Sequence, residues 1–187
     1  RDGPSGAGRC LAWTGAAGEV KDSSANGVDL TSYGNATTAA PAAGSASCRY
    51  GVFGGDQDRV GRATDNRVDP STALTAMAWI YARAYPSELM TIMSKDENYE
   101  FHLNPNGQVY WWWGGSPKDL TTTGTAIALN KWYHVAITYS SGAQRIYIDG
   151  VQRASNNQTG SLATSAAPFL IGADVSTSAT FDLIPGR

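Results

Sequence analysis

The chain has 187 residues, of which 42% are apolar, 10% aromatic and only 16% charged, whereas about 25% of residues are charged in a typical soluble domain. Its 14 basic and 16 acidic side chains give a net charge of −2. This balance argues against a nucleic-acid partner, which requires a basic surface, and against a polybasic membrane anchor. No apolar run approaches the roughly 20 residues of a membrane span, so we expect no direct membrane insertion.

The length fits a single domain covering residues 1–187. Because the chain opens at Arg1 rather than at an initiator Met, we expect it to be a fragment of a longer precursor. Its polarity comes mainly from Ser, Thr, Asn, Gln and 21 Gly residues. This neutral, Gly-rich and aromatic-rich composition favours an extracellular or cell-surface β protein.

Short alternating segments separated by turns follow one another along most of the chain. Residues Thr37 to Ser47 are mostly Ala, Ser and Thr with one Gly and one Pro, which predicts a surface loop. Thr75 to Arg83 alternates, with Met77, Trp79 and Tyr81 on one face, and both faces are apolar, which predicts a central strand. The later predicted strands are 91–95, 99–103, 108–113, 120–123, 132–140, 144–148, 151–154 and 169–171. This spacing predicts an all-β protein with two antiparallel sheets.

Two cysteines, Cys10 and Cys48, flank a segment with little apolar content. A disulfide between them would close a loop of roughly 40 residues and stabilise the fold by about 4 kcal/mol in the chain-entropy model. We predict this disulfide, since the segment has almost no core of its own. Two buried thiols in a cytosolic protein are the alternative.

A recognisable signature lies in the second half of the chain. Lys131–Tyr139 reads K-W-Y-H-V-A-I-T-Y, and Arg145–Val151 reads R-I-Y-I-D-G-V after a turn. Together they resemble the W-x-H-V-A-x-T-Y and L-Y-V-D-G-x signature of laminin-G-like, concanavalin-type jelly rolls. Residues 53–60, 76–80 and 171–174 also resemble this family, in the expected order. The resemblance covers nearly the whole chain and implies a two-sheet antiparallel jelly-roll sandwich.

The resemblance also implies a metal site near the N-terminus. Asp22–Gly27 reads D-S-S-A-N-G and resembles the early D-x-S-G-N-G segment of the family, with Ala25 replacing a Gly. Asp22 and Asn26 are therefore candidate ligands of calcium, which prefers carboxylate and carbonyl oxygens. An ordinary Asx-rich turn is the alternative interpretation.

Carboxylates require attention because this fold also hosts glycoside hydrolases. Retaining members hold two carboxyl groups about 5 Å apart, often in E-x-D-x-E or E-x-D-x-x-E patterns. Asp96, Glu97 and Glu100 lie near His102 but lack this spacing, so we interpret them as a solvated turn and an exposed strand face. The sequence contains no G-x-S-x-G motif with a serine nucleophile that the other histidine, His134, could activate. We assign no catalytic residues and expect the protein not to be an enzyme.

The run Tyr110-Trp111-Trp112-Trp113 is the most unusual segment. Strand alternation places Tyr110 and Trp112 on one face and Trp111 and Trp113 on the other. At least one pair should therefore lie in the core, and the other pair is free to form a platform for a sugar ring. We select Tyr110 and Trp112 as the ligand-binding pair. Core packing of both pairs is the alternative.

These observations predict an extracellular binding or adhesion module that recognises a glycan or a surface protein. The segment Met93–Leu103 and the Trp run further resemble the laminin-G-like region of bacterial pilus-biogenesis proteins of the mannose-sensitive haemagglutinin type, which implies a pilus protein as a possible partner. Two alternatives remain open: a structural accessory module without a small ligand, and a glycoside hydrolase of the same fold.

Overall fold

The computed structural model describes residues 12–39, 49–55, 58–113, 118–124, 127–140, 142–176 and 179–181. Within these ranges the chain forms fifteen β-strands and a 3-10 turn at Asn66–Val68, and it forms no α-helix. The strands are β1 (Thr31–Tyr33), β2 (Thr37–Ala39), β3 (Tyr50–Val52), β4 (Arg59–Arg62), β5 (Ala73–Tyr81), β6 (Met90–Lys95), β7 (Tyr99–Leu103), β8 (Val109–Trp112), β9 (Leu120–Thr121), β10 (Trp132–Ser140), β11 (Ala143–Ile148), β12 (Val151–Asn157), β13 (Phe169–Ile171), β14 (Asp174–Ser176) and β15 (Ala179–Phe181).

Two antiparallel sheets form the body of the domain. The larger has seven strands in the order β1-β4-β13-β6-β7-β8-β9, and the smaller has four in the order β12-β11-β10-β5. Two further strand pairs, β2 with β3 and β14 with β15, lie outside these sheets. The predicted all-β antiparallel sandwich is confirmed.

The main hydrophobic core lies between the two sheets. From the large sheet it receives Phe101 and Trp111, which are cross-strand partners and have no exposed surface. From the small sheet it receives Val135, Ile137 and Ile146, also fully buried. Because side chains alternate along a strand, this packing determines which residues of β7 and β8 point away from the core.

Among the described residues, the strand predicted as central at Thr75 to Arg83 lies at an edge of its sheet. Strand β5 pairs only with β10 among the described residues and ends the order of the small sheet. Ile80 is buried in the core, whereas Met77 and Trp79 on the opposite face are 56% and 66% exposed. The error arises because an apolar outer face reads the same in the sequence whether it is covered or exposed.

The N-terminal predictions have mixed outcomes. Thr37–Ala39, predicted as part of a surface loop, forms β2 and pairs with β3. Cys10 and Cys48 both lie outside the described residues, so their disulfide stays a prediction. In the part of the chain that the structure describes, no helix is long and apolar enough to cross a bilayer.

The burial pattern of β8 makes neighbouring tryptophans very different in their contribution to stability. Trp111 is fully buried whereas Trp112 is only partly buried. We expect Trp111→Ala to lower the free energy of unfolding by about 3–5 kcal/mol, as for other large-to-small core changes, and Trp112→Ala to lower it by less than about 1.5 kcal/mol. Urea titration followed by circular dichroism measures both; equal losses would contradict this strand orientation.

Candidate ligand-binding face

The outer side of the large sheet carries a group of polar and aromatic side chains. In the register of β7 and β8, Glu100 lies opposite Trp112 and His102 lies opposite Tyr110. Directly opposed residues point to the same side of a sheet, and this side is away from Trp111 and the core. We call this surface the acidic–aromatic face. Its members are Asp96, Glu100, His102, Tyr110, Trp112, Asp119 and Asp174.

The predicted alternation of the aromatic run is confirmed. Trp111 and Trp113 are 0% and 2% exposed, whereas Tyr110 and Trp112 are half-buried on the opposite side of the strand. The structure therefore brings the two predicted ligand-binding residues together on one surface. Their role in ligand binding stays a prediction.

Tyr110 is held in place by its neighbours. Its ring stacks on the imidazole of His102 with 5.8 Å between centroids and 26° between planes. Its hydroxyl donates a hydrogen bond of 2.8 Å to Oδ2 of Asp119, and Oδ1 of Asp119 accepts a bond of 3.2 Å from the backbone N–H of Trp113. Burial and the adjacent Asp119 raise the pKa of the Tyr110 hydroxyl, so it remains a neutral donor.

Glu100 and His102 form a buried pair, and their predicted place on an exposed strand face is wrong. They are 8% and 1% exposed. Nε2 of His102 lies 3.0 Å from Oε2 of Glu100, and Nδ1 lies 3.1 Å from Oγ1 of Thr91. Burial lowers the pKa of His102, and burial together with repulsion by Asp96 raises the pKa of Glu100. Both shifts favour the neutral forms of the pair.

Glu100 also belongs to a group of three carboxylates that converge from three separate segments. Asp96 lies in the turn between β6 and β7, Glu100 in β7, and Asp174 at the start of β14. One carboxylate oxygen from each lies within 4.8 Å of the others. Asp174 is only 5% exposed, and burial followed by repulsion from Glu100 raises its pKa to about 6.

Sequence reasoning missed Asp174. The residue lies far from Asp96 and Glu100 along the chain, so no spacing pattern joins it to them. Its place depends on the segment after β13, where the hydroxyl of Ser94 in β6 donates a 3.0 Å bond to the carbonyl of Ala173. No local signal in the sequence could have shown this contact.

The predicted calcium ligands Asp22 and Asn26 lie in a separate loop. Both carboxylate oxygens of Asp22 accept hydrogen bonds from within that loop, from the N–H and hydroxyl of Ser24 and from the N–H of Val28, at 2.7–2.9 Å. These bonds lower the pKa of Asp22 to about 2. The guanidinium of Arg67 donates to the carbonyl of Asn26. Hydrogen-bond donors of the chain thus already engage both carboxylate oxygens of Asp22, and calcium at this loop remains an untested prediction.

A second aromatic surface lies on the outer side of the small sheet. Trp79 and Trp132 are 66% and 38% exposed. The ring of Trp79 contacts His134 at 5.4 Å between centroids, and Trp132 lies between Tyr81 and Tyr50 at 5.5 and 5.6 Å. Sequence reasoning assigned Trp79 to a buried strand and so missed this surface. Unlike the acidic–aromatic face, its described aromatic contacts include no carboxylate.

Residues 54–183 match the Laminin_G_3 family of the concanavalin A-like lectin/glucanases superfamily. The chain therefore belongs to this family, and the resemblance noted in the sequence is confirmed. A search of curated proteins finds no match.

Solved structures of other proteins share the fold. Domain 4 of AbnA, an extracellular GH43 arabinanase from Geobacillus stearothermophilus solved with arabinotriose, is 21% identical with a TM-score of 0.63, and the match covers 89% of this chain and 84% of that one. The binding domain of Botulinum Neurotoxin DC in complex with SialylT is 17% identical with a TM-score of 0.61, over 81% of this chain but 39% of that one. A mutant Trypanosoma rangeli sialidase is 16% identical with a TM-score of 0.55, over 83% of this chain and 26% of that one. Because these structures come from enzymes and from a binding domain, the fold alone does not decide between catalysis and binding.

The raised pKa of Glu100 predicts a pH-dependent loss of stability in protein kept free of metal with EDTA. Its pKa rises from 4.5 to about 8 on folding. Between these values the unfolded chain has released a proton that the folded protein keeps, so stability falls as the pH rises. The pKa of Asp174 rises to about 6 and that of His102 falls to about 4, so their shifts act mainly below pH 6.5 and Glu100 dominates the window from pH 6.5 to 8. We expect a fall of about 1 kcal/mol there.

The matched variant is Glu100→Gln, which cannot ionise. It should show no fall between pH 6.5 and 8 in urea titrations with EDTA. Parallel pH dependence in the wild type and the variant would contradict a buried, protonated Glu100.

Proposed function

We propose that this domain is a non-catalytic carbohydrate-binding module whose ligand lies on the acidic–aromatic face against Trp112 and Tyr110. The observation that carries this proposal is the register that sets Trp112 opposite Glu100 and Tyr110 opposite His102 on the side away from the core. An aromatic surface and a set of hydrogen-bonding groups thus lie side by side, which is the usual composition of a small-ligand site.

The chemistry of this face suits a sugar. A pyranose or furanose ring offers apolar C–H groups to an aromatic ring and hydroxyl groups to acceptors around its edge. Trp112 is half-buried, so it has exposed surface to offer while the rest of the side chain is held by the sheet. The half-buried carboxylates of Asp96 and Asp119 are acceptors of the charge-assisted hydrogen bonds that fix hydroxyl groups.

The charge of the face favours a neutral glycan. Asp96, Asp119 and Asp174 all belong to it, and the described residues give none of these three acids an ion pair. Like charges oppose binding, so sialylated or uronic-acid glycans should bind less well than neutral oligosaccharides. A glycan-binding role is supported by the arabinanase domain, which was solved with arabinotriose.

A hydrolase is the second candidate. Carboxylate oxygens of Asp96, Glu100 and Asp174 lie within 4.8 Å of one another, and retaining glycosidases hold two carboxyl groups about 5 Å apart. We propose that the domain is non-catalytic because a substrate has little access to two of these carboxyl groups. Glu100 and Asp174 are 8% and 5% exposed, and Glu100 is engaged with His102. A general acid must come within hydrogen-bond reach of the glycosidic oxygen, which neither buried carboxyl group does without movement.

We further propose that the domain acts outside the cell or at its surface. The arabinanase whose domain 4 shares this fold is extracellular, which supports this location. Adhesion and association with a pilus or surface protein rest on the sequence resemblance alone.

The test is a binding titration of wild type, Trp112→Ala and Trp79→Ala with arabinotriose and a panel of neutral and sialylated oligosaccharides. Each substitution removes one tryptophan from the outer side of a different sheet. We expect at least one neutral glycan to bind, Trp112→Ala to weaken it at least tenfold, equivalent to about 1.4 kcal/mol, and Trp79→Ala to leave it unchanged.

Three results would contradict the proposal. The first is no binding of any neutral glycan by the wild type. The second is loss of binding in Trp79→Ala with retention in Trp112→Ala, which would move the site to the small sheet. The third is release of reducing sugar from a bound oligosaccharide that Glu100→Gln abolishes, because it would show catalysis.

A further inference from the structure

The carboxylates of Asp96, Glu100 and Asp174 have the spacing of ligands around one metal ion. Their nearest oxygens lie within 4.8 Å of one another. Oxygens on opposite sides of a calcium ion, each at 2.3–2.6 Å, are separated by about 5 Å. The three oxygens therefore fit around a single ion of that size, whereas Mg²⁺ demands near-ideal octahedral geometry and gives up its water ligands reluctantly.

A second observation at the same place comes from Asp174. This side chain is 5% exposed, and its Oδ1 has no hydrogen-bond partner. Buried polar atoms are nearly always hydrogen-bonded, and a buried carboxylate oxygen without a donor is costly. A cation bound among the three carboxylates removes that cost.

No basic side chain among the described residues neutralises this cluster. Among the described residues, His102 alone lies within ion-pair distance of it, against Glu100, and burial favours the neutral imidazole by lowering its pKa. Lys95 precedes Asp96 directly, but it is fully buried and its Nζ donates to the carbonyls of Ser165 and Ala167, each at 2.6 Å. The negative charge of the cluster thus lacks a counter-charge from the described part of the chain.

The donor set selects the kind of ion. All three candidate ligands are carboxylate oxygens, which suit hard cations such as Ca²⁺, whereas Zn²⁺ sites are dominated by nitrogen and sulfur. Both ring nitrogens of His102 are engaged, with Glu100 and Thr91, so this imidazole is no ligand. Calcium takes six to eight oxygens, which leaves several positions for water or another ligand.

We propose that Asp96, Glu100 and Asp174 bind one calcium ion on the outer side of the large sheet, at a place separate from the Asp22 loop. The ion lies beside Trp112, because Glu100 and Trp112 are cross-strand partners. Its open positions would accept glycan hydroxyl groups, and this last step alone rests on the proposed function.

The experiment uses the whole chain, stripped with EDTA and dialysed, without any glycan. Calcium binding is measured by isothermal titration and by the shift in melting temperature, and Tb³⁺ serves as a luminescent probe excited through the nearby tryptophans. We expect calcium to bind and to raise the melting temperature, with a smaller effect of Mg²⁺. Asp96→Asn and Glu100→Gln should each weaken calcium binding at least tenfold, whereas Asp22→Asn, at the competing loop, should retain it.

Two outcomes would overturn the proposal: no calcium-dependent change in the wild type, or loss of binding in Asp22→Asn with retention in Asp96→Asn and Glu100→Gln. Circular dichroism checks that each variant folds. If Glu100→Gln does not fold, the calcium affinity of Asp96→Asn decides the test, because Asp96 is only half-buried and its substitution should disturb the fold less. Because no glycan is present in this experiment, calcium binding can be established even if the domain binds no glycan. Likewise, failure to bind calcium would leave the glycan-binding proposal to its own test.

Discussion

The register between β7 and β8 is the constraint on which the candidate site depends. Phe101 and Trp111 are opposed across these strands and are both completely buried. A slip of β8 by one residue would exchange the two faces of that strand and would place Tyr110 and Trp112 in the core. The burial of Trp111 therefore holds Trp112 on the outer side, so the core of the domain and its ligand-binding face are fixed by the same packing.

The outer side of the large sheet is unusual for a sheet surface because its polar groups are buried. Glu100, His102 and Asp174 are each less than one-tenth exposed. Buried acids placed this close together oppose one another and raise each other's pKa, which lowers the stability of the metal-free fold. Retention of such a cluster is reasonable where it serves ligand or cation binding, whereas a purely structural sheet would be more stable with apolar or well-separated side chains.

Sequence reasoning succeeded where the cause was local. The alternation of Tyr110 and Trp112 with Trp111 and Trp113 follows from the two-residue period of a strand, and so does the antiparallel all-β character. It failed where distant segments meet. Asp174 joins the acidic cluster because the segment that follows β13 is bonded to β6 through Ala173 and Ser94. No local sequence pattern reveals this contact.

Two other differences between the sequence-based predictions and the structure also arise from contacts between distant segments. Arg67 contacts the Asn26 carbonyl from 41 residues further along the chain, so the motif that resembled a calcium loop gave no sign of this guanidinium. Trp79 belongs to an apolar strand whose outer face is exposed, and exposure depends on which strands pair. The sequence thus indicated the aromatic surface of Tyr110 and Trp112, but not the one that contains Trp79 and Trp132.

The central claim is that ligand binding takes place at Trp112 and not at the second aromatic surface. The most direct measurement is a titration of the ¹⁵N-labelled protein with a neutral oligosaccharide, following the indole N–H resonances of its tryptophans by NMR. We expect the Trp112 resonance to shift in proportion to the bound fraction, whereas the resonances of Trp79 and Trp132 should not shift. Shifts at Trp79 and Trp132 with an unchanged Trp112 would contradict it.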